Sequence, residues 1–258
     1  MLMNIAFLST FYPFRGGIAQ FNANLFRALE KSADIRAYNF SVQYPDFLFP
    51  GQTQFVTGAD DADPIPTRRL LNSVSPLSWF KTAAAIRRSK PDFLLTAFWM
   101  PFFAPSMGTV AARVRAAGIP VISLLNNVIP HEKRPGDLAL MRYFLRHNDG
   151  FITMSNAVTA DLQRLRPEAR VLMRPHPVYS HFGAKTDRAA ARQRLGLAPD
   201  KNILLFFGFI RTYKGLDLLI RSMALLPGEF ELVIAGECYG NFDDYEKLIR
   251  STGVTDRV

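Results

Sequence analysis

Eight short apolar runs punctuate the chain: NIAFLS, IRAYNF, DFLLTAF, PVISLL, GFITM, RVLMR, NILLFFGF and FELVIAG. Most hold apolar residues at successive positions instead of every second one, the pattern of parallel strands covered on both faces. Amphipathic stretches stand between many of them, such as IAQFNANLFRALEKS with Phe21, Leu25 and Leu29 at helical spacing. Alternation of this kind implies α/β architecture, a doubly wound parallel sheet with right-handed crossovers.

The alternation breaks twice. Residues 41–78 are rich in Pro, Gly, Asp and Thr without a sustained period, and read as a long surface excursion or a short hairpin. The second break, RPHPVYSHFGAKTDRAA, has the composition of an interdomain linker. It predicts a first domain over 1–180 and a second over 181–258. The second domain carries only two clear strands, fewer than a parallel sheet needs to cover its faces, so truncation of this domain is expected.

Charge and cysteine content narrow the function classes. The single cysteine, Cys238, permits no intrachain disulfide and fits a reducing compartment. The N-terminus lacks the basic start and cleavage site of a secretory signal. The charge-free stretch from Phe93 to Ala112 is interrupted by Pro101, Pro105 and Gly108, which argues against a spanning helix. The net charge of +9 is uneven: residues 1–183 hold 20 Lys and Arg against 12 Asp and Glu, whereas 184–258 hold 11 against 10. Clusters such as IRRSK and ARVRAAG, near the aromatics Trp79 and Phe80 that the pattern places at the surface, suit an anionic ligand or an anionic membrane surface. A solvated basic face without a partner is the other reading. Nucleic acid is not expected, since no stacking or helix-turn-helix pattern accompanies the charge.

Three places carry candidate chemistry. In STFYPFRGGIAQFNANL a strand hands over to a helix across Gly16 and Gly17, a turn that lets backbone and helix N-terminus approach an anion. It is not the dinucleotide fingerprint, and a tight turn without a ligand remains open. In NNVIPHEKRPGD, directly after a strand, Asn126, Asn127 and His131 stand where open α/β sheets bind ligands. His131 is the histidine best placed for proton or hydrogen-bond work, and a surface loop histidine is the alternative. In GFIRTYKGLDLLIRSM a buried strand ends at Gly208, shows Arg211 and Lys214, and enters a helix whose buried face reads as Leu218, Leu219 and Met223. A planar fork beside a mobile point charge suits a diphosphate better than a single carboxylate. Cations at a helix start also oppose its dipole unless an anion joins them.

The segment Gly208 to Ile220, G-F-I-R-x-x-K-G-x-D-x-L-I, resembles the donor-phosphate motif of the retaining GT-B glycosyltransferases known as family 4. The GGIAQ turn, the helix start SNAVTADL at Ser155 to Leu162 and ELVIAGE at Glu231 to Glu237 accompany it in the family's order. The resemblance implies two Rossmann-like domains, the first on the acceptor side and the second the beginning of a nucleotide-sugar domain. It implies transfer of a glycosyl group from a nucleoside-diphosphate sugar to a saccharide or lipid-linked acceptor hydroxyl with retention, in polysaccharide or glycoconjugate synthesis. Arg211 and Lys214 would hold the departing diphosphate, with Gly208 beside them and the Gly16–Gly17 turn facing it across the interdomain cleft. His131 would lie near the donor sugar, and Asn126 and Asn127 would line the cleft. No cofactor and no metal are implied, because two side-chain cations stand where an ion would otherwise neutralise the diphosphate. The acidic run at Asp60, Asp61 and Asp63 reads as a solvated loop.

Two departures qualify the resemblance. Arg211 and Lys214 are closer in sequence than in many relatives. The family's E-x7-E element is expected beyond residue 258, since Glu237 and Glu246 have the wrong spacing, so the chain as given is expected to bind donor poorly and to transfer little. A cytoplasmic location follows, with peripheral contact at the inner membrane face compatible with the basic first domain. A sugar-nucleotide epimerase on the same architecture and a non-catalytic membrane-surface or partner-binding module are the competing readings.

Overall fold

The computed structural model describes residues 2–49, 51, 53–58, 62–130, 132, 134–179 and 183–258. The chain divides into two compact units, one of Met1–Phe49 with Thr53–Pro177 and one containing Val178–Val258.

In the first unit seven strands run in the order β3-β2-β1-β4-β5-β6-β7. They are β1 (Met3–Leu8), β2 (Ala33–Val42), β3 (Thr67–Asn72), β4 (Phe93–Phe98), β5 (Val121–Leu125), β6 (Gly150–Thr153) and β7 (Val171–Met173). Every pairing among them is parallel. The helices are α1 (Gly17–Leu29), α2 (Pro76–Arg88), α3 (Ala104–Arg115), α4 (Asp137–Arg146) and α5 (Asn156–Leu165). The chain moves from β1 outward to β2, then from β3 back across to β4 and onward. Right-handed crossovers in opposite directions put α1 on one face and α2, α3 and α4 on the other. This is the doubly wound α/β arrangement expected from the apolar runs.

Coverage on both faces explains the uninterrupted strands. Ile5, Ala6, Phe7 and Leu8 of β1 are all buried, as are Leu94, Leu95, Ala97 and Phe98 of β4. Phe98 stacks on Phe144 of α4 with ring centroids 3.9 Å apart, tying the sheet centre to its helical layer. Polar residues within the buried strands are paired: Thr96 with Ser123, and Ser123 with Asn148, whose amide donates to the Phe144 carbonyl at 2.7 Å.

Residues 41–78 differ from the expected irregular excursion. They contain β3, an edge strand parallel to β2, and the first turn of α2. The strand TRRLLN was obscured by its two arginines and by Pro64 and Pro66 before it. An edge position tolerates them: Arg69 donates to the Phe40 carbonyl at 3.2 Å, and Arg68 lies 5.9 Å from the Tyr38 ring centroid. Trp79 is also corrected. It is half-buried against the core and its indole N–H donates to the Asn72 carbonyl at 2.8 Å, whereas Phe80 is exposed.

The second unit holds β8 (Asn202–Phe207) and β9 (Phe230–Ala235), a parallel pair, with α6 (Arg188–Leu195), α7 (Leu216–Met223) and α8 (Asp243–Ser251). Its core is Ile210, Leu216, Ile220, Met223, Leu232 and Val254. The buried face of α7 is therefore Leu216, Ile220 and Met223, at spacings of four and three. Leu218, expected inside, is 66% exposed because the helix starts at Leu216 and that sets its phase. Phe207 is 80% exposed, so β8 buries Leu204 and Phe206 on one side only.

Two outcomes follow. Phe98→Ala removes a fully buried ring and its stacking partner, and is expected to cost about 3–5 kcal/mol, read as a lowered denaturation midpoint of the larger unit. His147, at the C-terminus of α4, is held below the ordinary histidine range first by burial, then by Arg146 and Arg115. Below about pH 6.5 the unfolded chain takes up a proton that the folded chain resists. Stability should thus fall as pH drops from that value through the lowered one, and His147→Gln should flatten the slope.

Candidate functional site

All three sequence-identified places stand at carboxyl ends of strands. In the second unit, β8 ends at Gly208 with φ +103°, a left-handed backbone that side chains rarely adopt. The end of β9 reaches Gly236, where a Cβ would collide with the Gly208 carbonyl. Only glycine at 236 lets the two strand ends run this close. Beyond them the chains stay side by side: Ile210 N donates to the Glu237 carbonyl at 2.8 Å and Tyr239 N to the Ile210 carbonyl at 3.2 Å. Buried Ile210 anchors this extension in the core.

The cations rise from this base. Arg211 precedes a one-turn 3-10 helix, Thr212–Lys214, and Gly215 with φ +72° separates that turn from α7. Arg211 and Lys214 therefore sit on a separate turn before α7, not at the start of the helix itself. The Arg211 guanidinium lies 4.7 Å from the Tyr239 ring centroid, held from the β9 side. The exposed Lys214 ammonium reaches back over the strand end, and a Cβ at Gly208 would stand 3.4 Å from its Nζ. Lys214 thus stands over Gly208 and Arg211 over Tyr239, both where β8 and β9 end together. Cys238 pairs by a bridge with Ile210, and burial pushes its thiol up, which keeps it protonated and disfavours a reactive role.

In the first unit, Gly16 has φ +114° and caps the start of α1 at Gly17, with open space where either Cβ would stand. The leading amides of a helix lack intrahelical partners, which makes this end receptive to an anion. Buried amides fix the turn from beneath. Asn22 donates to Ser9 Oγ and to the Thr10 carbonyl, both at 2.9 Å, and Asn39 donates to the carbonyls of Phe11 at 3.1 Å and Tyr12 at 2.9 Å. Asn126 and Asn127 follow β5. Asn126 N donates to the Phe98 carbonyl at 2.9 Å, and its side-chain Nδ2 is buried without a hydrogen-bond partner among the described residues. His131 lies outside the described residues. His147, by contrast, ends α4 at the edge of the sheet opposite the strand carboxyl ends.

Sequence reasoning passed over Gly236 and Tyr239, although a glycine closing the run FELVIAG was a usable signal. It also passed over the aromatic cluster at the carboxyl ends of β2 and β4, where Tyr44 stacks on Phe102 at 5.4 Å and meets Phe103 edge-on at 5.1 Å.

Residues 15–180 match Glycosyltransferase Family 4, and residues 187–258 match Glycosyl transferases group 1. The first match alone spans more than half of the chain, and the protein belongs to glycosyltransferase family 4. The D-inositol 3-phosphate glycosyltransferase of Xylanimonas cellulosilytica is 40% identical over 76 residues, covering 28% of this chain and 18% of that protein's length. The structure of Anabaena Alr3699/HepE in complex with UDP and glucose matches with a TM-score of 0.69 at 16% identity, over 99% of this chain and 68% of that one. UDP-GlcNAc 2-epimerase from Methanocaldococcus jannaschii matches with a TM-score of 0.56 at 11% identity, over 98% and 70%. At these identities the likeness is one of fold: Rossmann-like parallel sheets of the GT-B class.

The Gly208–Gly236 approach is directly testable. Gly236→Ala should destabilise the second unit by about 1–3 kcal/mol, because the atom in the way is backbone and cannot swing aside. Amide hydrogen exchange should then quicken at Ile210 and Tyr239.

Proposed function

We propose that this chain binds a nucleoside-diphosphate sugar through Arg211, Lys214 and the strand end at Gly208, and serves glycosyl transfer to an acceptor hydroxyl with retention, in polysaccharide or other glycoconjugate synthesis. The observation that carries the reading is the placing of Lys214 over Gly208 and Arg211 over Tyr239 where β8 and β9 end together. In the reaction the bond from the anomeric carbon to the diphosphate breaks and a bond to the acceptor oxygen forms. The acceptor's proton leaves to the departing diphosphate or to solvent.

Negative charge grows on the diphosphate as it leaves, so cations fixed beside it stabilise the transition state more than the ground state. Arg211, braced by Tyr239, supplies the oriented donor, and Lys214 supplies mobile charge. These two replace the charge that a divalent ion would otherwise bring. A uridine nucleotide is the first donor to test, since the Anabaena structure holds UDP. The acceptor side is assigned to the first unit with Asn126 and Asn127 as its candidate residues, while Gly16 and Gly17 are candidates for the donor diphosphate and His131 for a catalytic place near the donor sugar.

Three outcomes test this. Arg211→Ala and Lys214→Ala should each weaken nucleoside-diphosphate binding by about 1.5–3 kcal/mol, roughly tenfold to hundredfold, measured by NMR titration of this chain. Equal affinity in both variants would remove the basis of the reading. Nucleoside-diphosphate binding to this chain should persist in excess EDTA, and its abolition by the chelator would contradict the side-chain role. Appearance of a sugar of changed stereochemistry still attached to the nucleotide, without transfer, would instead indicate the epimerase.

A further inference from the structure

The basic excess of the first unit is concentrated in one helical layer. Helices α2, α3 and α4 pack side by side on one face of the seven-stranded sheet. Together their sequences hold seven Lys and Arg residues and one acid, Asp137. Arg115 pairs with Asp149. The other six, Lys81, Arg87, Arg88, Arg113, Arg142 and Arg146, are exposed and form no ion pair with a described residue. Elsewhere in this unit Arg27 of α1 holds both Asp63 and Glu30, and Arg164 of α5 holds Asp161. Lys31, Arg68, Lys90, Arg170 and Arg174 are exposed and, like the six, form no ion pair with a described residue, but none of these five lies on α2, α3 or α4.

Apolar side chains stand among these cations in a repeated pattern. Leu77, 73% exposed, lies in the first turn of α2 with Lys81 one turn further on. Leu138, also exposed, lies in the first turn of α4 with Arg142 one turn further on. Both helices begin at the carboxyl edge of the sheet, so both leucines stand at the same end of the layer with a cation about 6 Å behind each. Between them Phe80 is 43% exposed under the guanidinium of Arg113, 4.7 Å from its ring centroid. No helix among the described residues is long and apolar enough to cross a membrane.

We propose that the α2–α3–α4 layer docks on the surface of an anionic lipid bilayer, with Leu77, Phe80 and Leu138 entering the acyl boundary and Lys81, Arg113 and Arg142 at the level of the headgroup phosphates. The charge complementarity fits any polyanion, whereas the exposed apolar tips at one end of each helix add affinity only against a surface with an apolar interior. A nucleic acid offers phosphates and gains nothing from leucine. The proposal does not rest on the nucleotide-sugar reading, since it uses none of those residues.

The test is partitioning of the 258-residue chain onto vesicles. It should bind phosphatidylglycerol-rich vesicles and not pure phosphatidylcholine. Lys81→Ala with Arg142→Ala should weaken partitioning roughly thirtyfold, and Leu77→Ser with Leu138→Ser by about tenfold or more. The control pair Arg194→Ala with Lys247→Ala, of equal charge loss in the second unit, should change it by less than about twofold. Hydrogen exchange of the unmutated protein should slow in the first turns of α2 and α4 on vesicle binding and stay unchanged in α1, a readout that needs no variant to fold. Equal losses from the layer pair and the control pair would overturn the proposal, as would equal binding to both lipids. Leucine variants that bind like the unmutated chain, with short duplex DNA competing for the same surface, would assign the layer to polyanions in general and overturn it as well.

Discussion

Parallel pairing is the constraint from which the rest of this molecule follows. Every pairing between named strands is parallel, in the larger sheet and in the β8–β9 pair alike. Parallel strands need helical crossovers, and the crossovers cover the sheet. Within each unit, therefore, every strand leaves the core at the same edge. The glycine turn after β1, the asparagines after β5 and the cations after β8 gather at carboxyl edges for that reason, where open sheets take ligands.

The site on the second unit depends on backbone before it depends on charge. Gly208 and Gly236 permit two strand ends to lie closer than any Cβ would allow, and buried Ile210 anchors the extension to the core. On that base Arg211 and Lys214 share one short turn, because the 3-10 helix is a single turn and Gly215 stops it from merging into α7. Two like charges on one short turn repel each other, the more so where water is excluded. An anion bound between them reverses the sign of that interaction, and the neighbouring Cys238, kept protonated by burial, adds no negative charge.

Much of the fold was legible because burial on both faces writes unbroken apolar runs. Eight strands announced themselves in this way. The ninth, β3, did not: an edge strand is covered less fully, and TRRLLN carries arginines that a central strand would exclude. Trp79 was misplaced for a related reason, since its neighbours Phe80 and Lys81 are exposed and only the indole hydrogen bond to Asn72 shows that it turns inward. Arg211 and Lys214 were visible as unusual cations after an apolar run. Their support was not, because Gly236 lies 28 positions beyond Gly208 and meets it only through the parallel register of β8 and β9. The cationic layer was half legible: the clusters stood in the sequence, but whether carboxylates neutralise them is settled by packing, which pairs Arg27 and leaves Lys81 and Arg142 unpaired.

The most direct measurement of the central claim is a crystal structure of this chain with a nucleoside diphosphate. A β-phosphate within hydrogen-bond distance of Arg211 and Lys214, lying over the Gly208 strand end, is the result predicted. A nucleotide bound elsewhere and touching neither cation would contradict it.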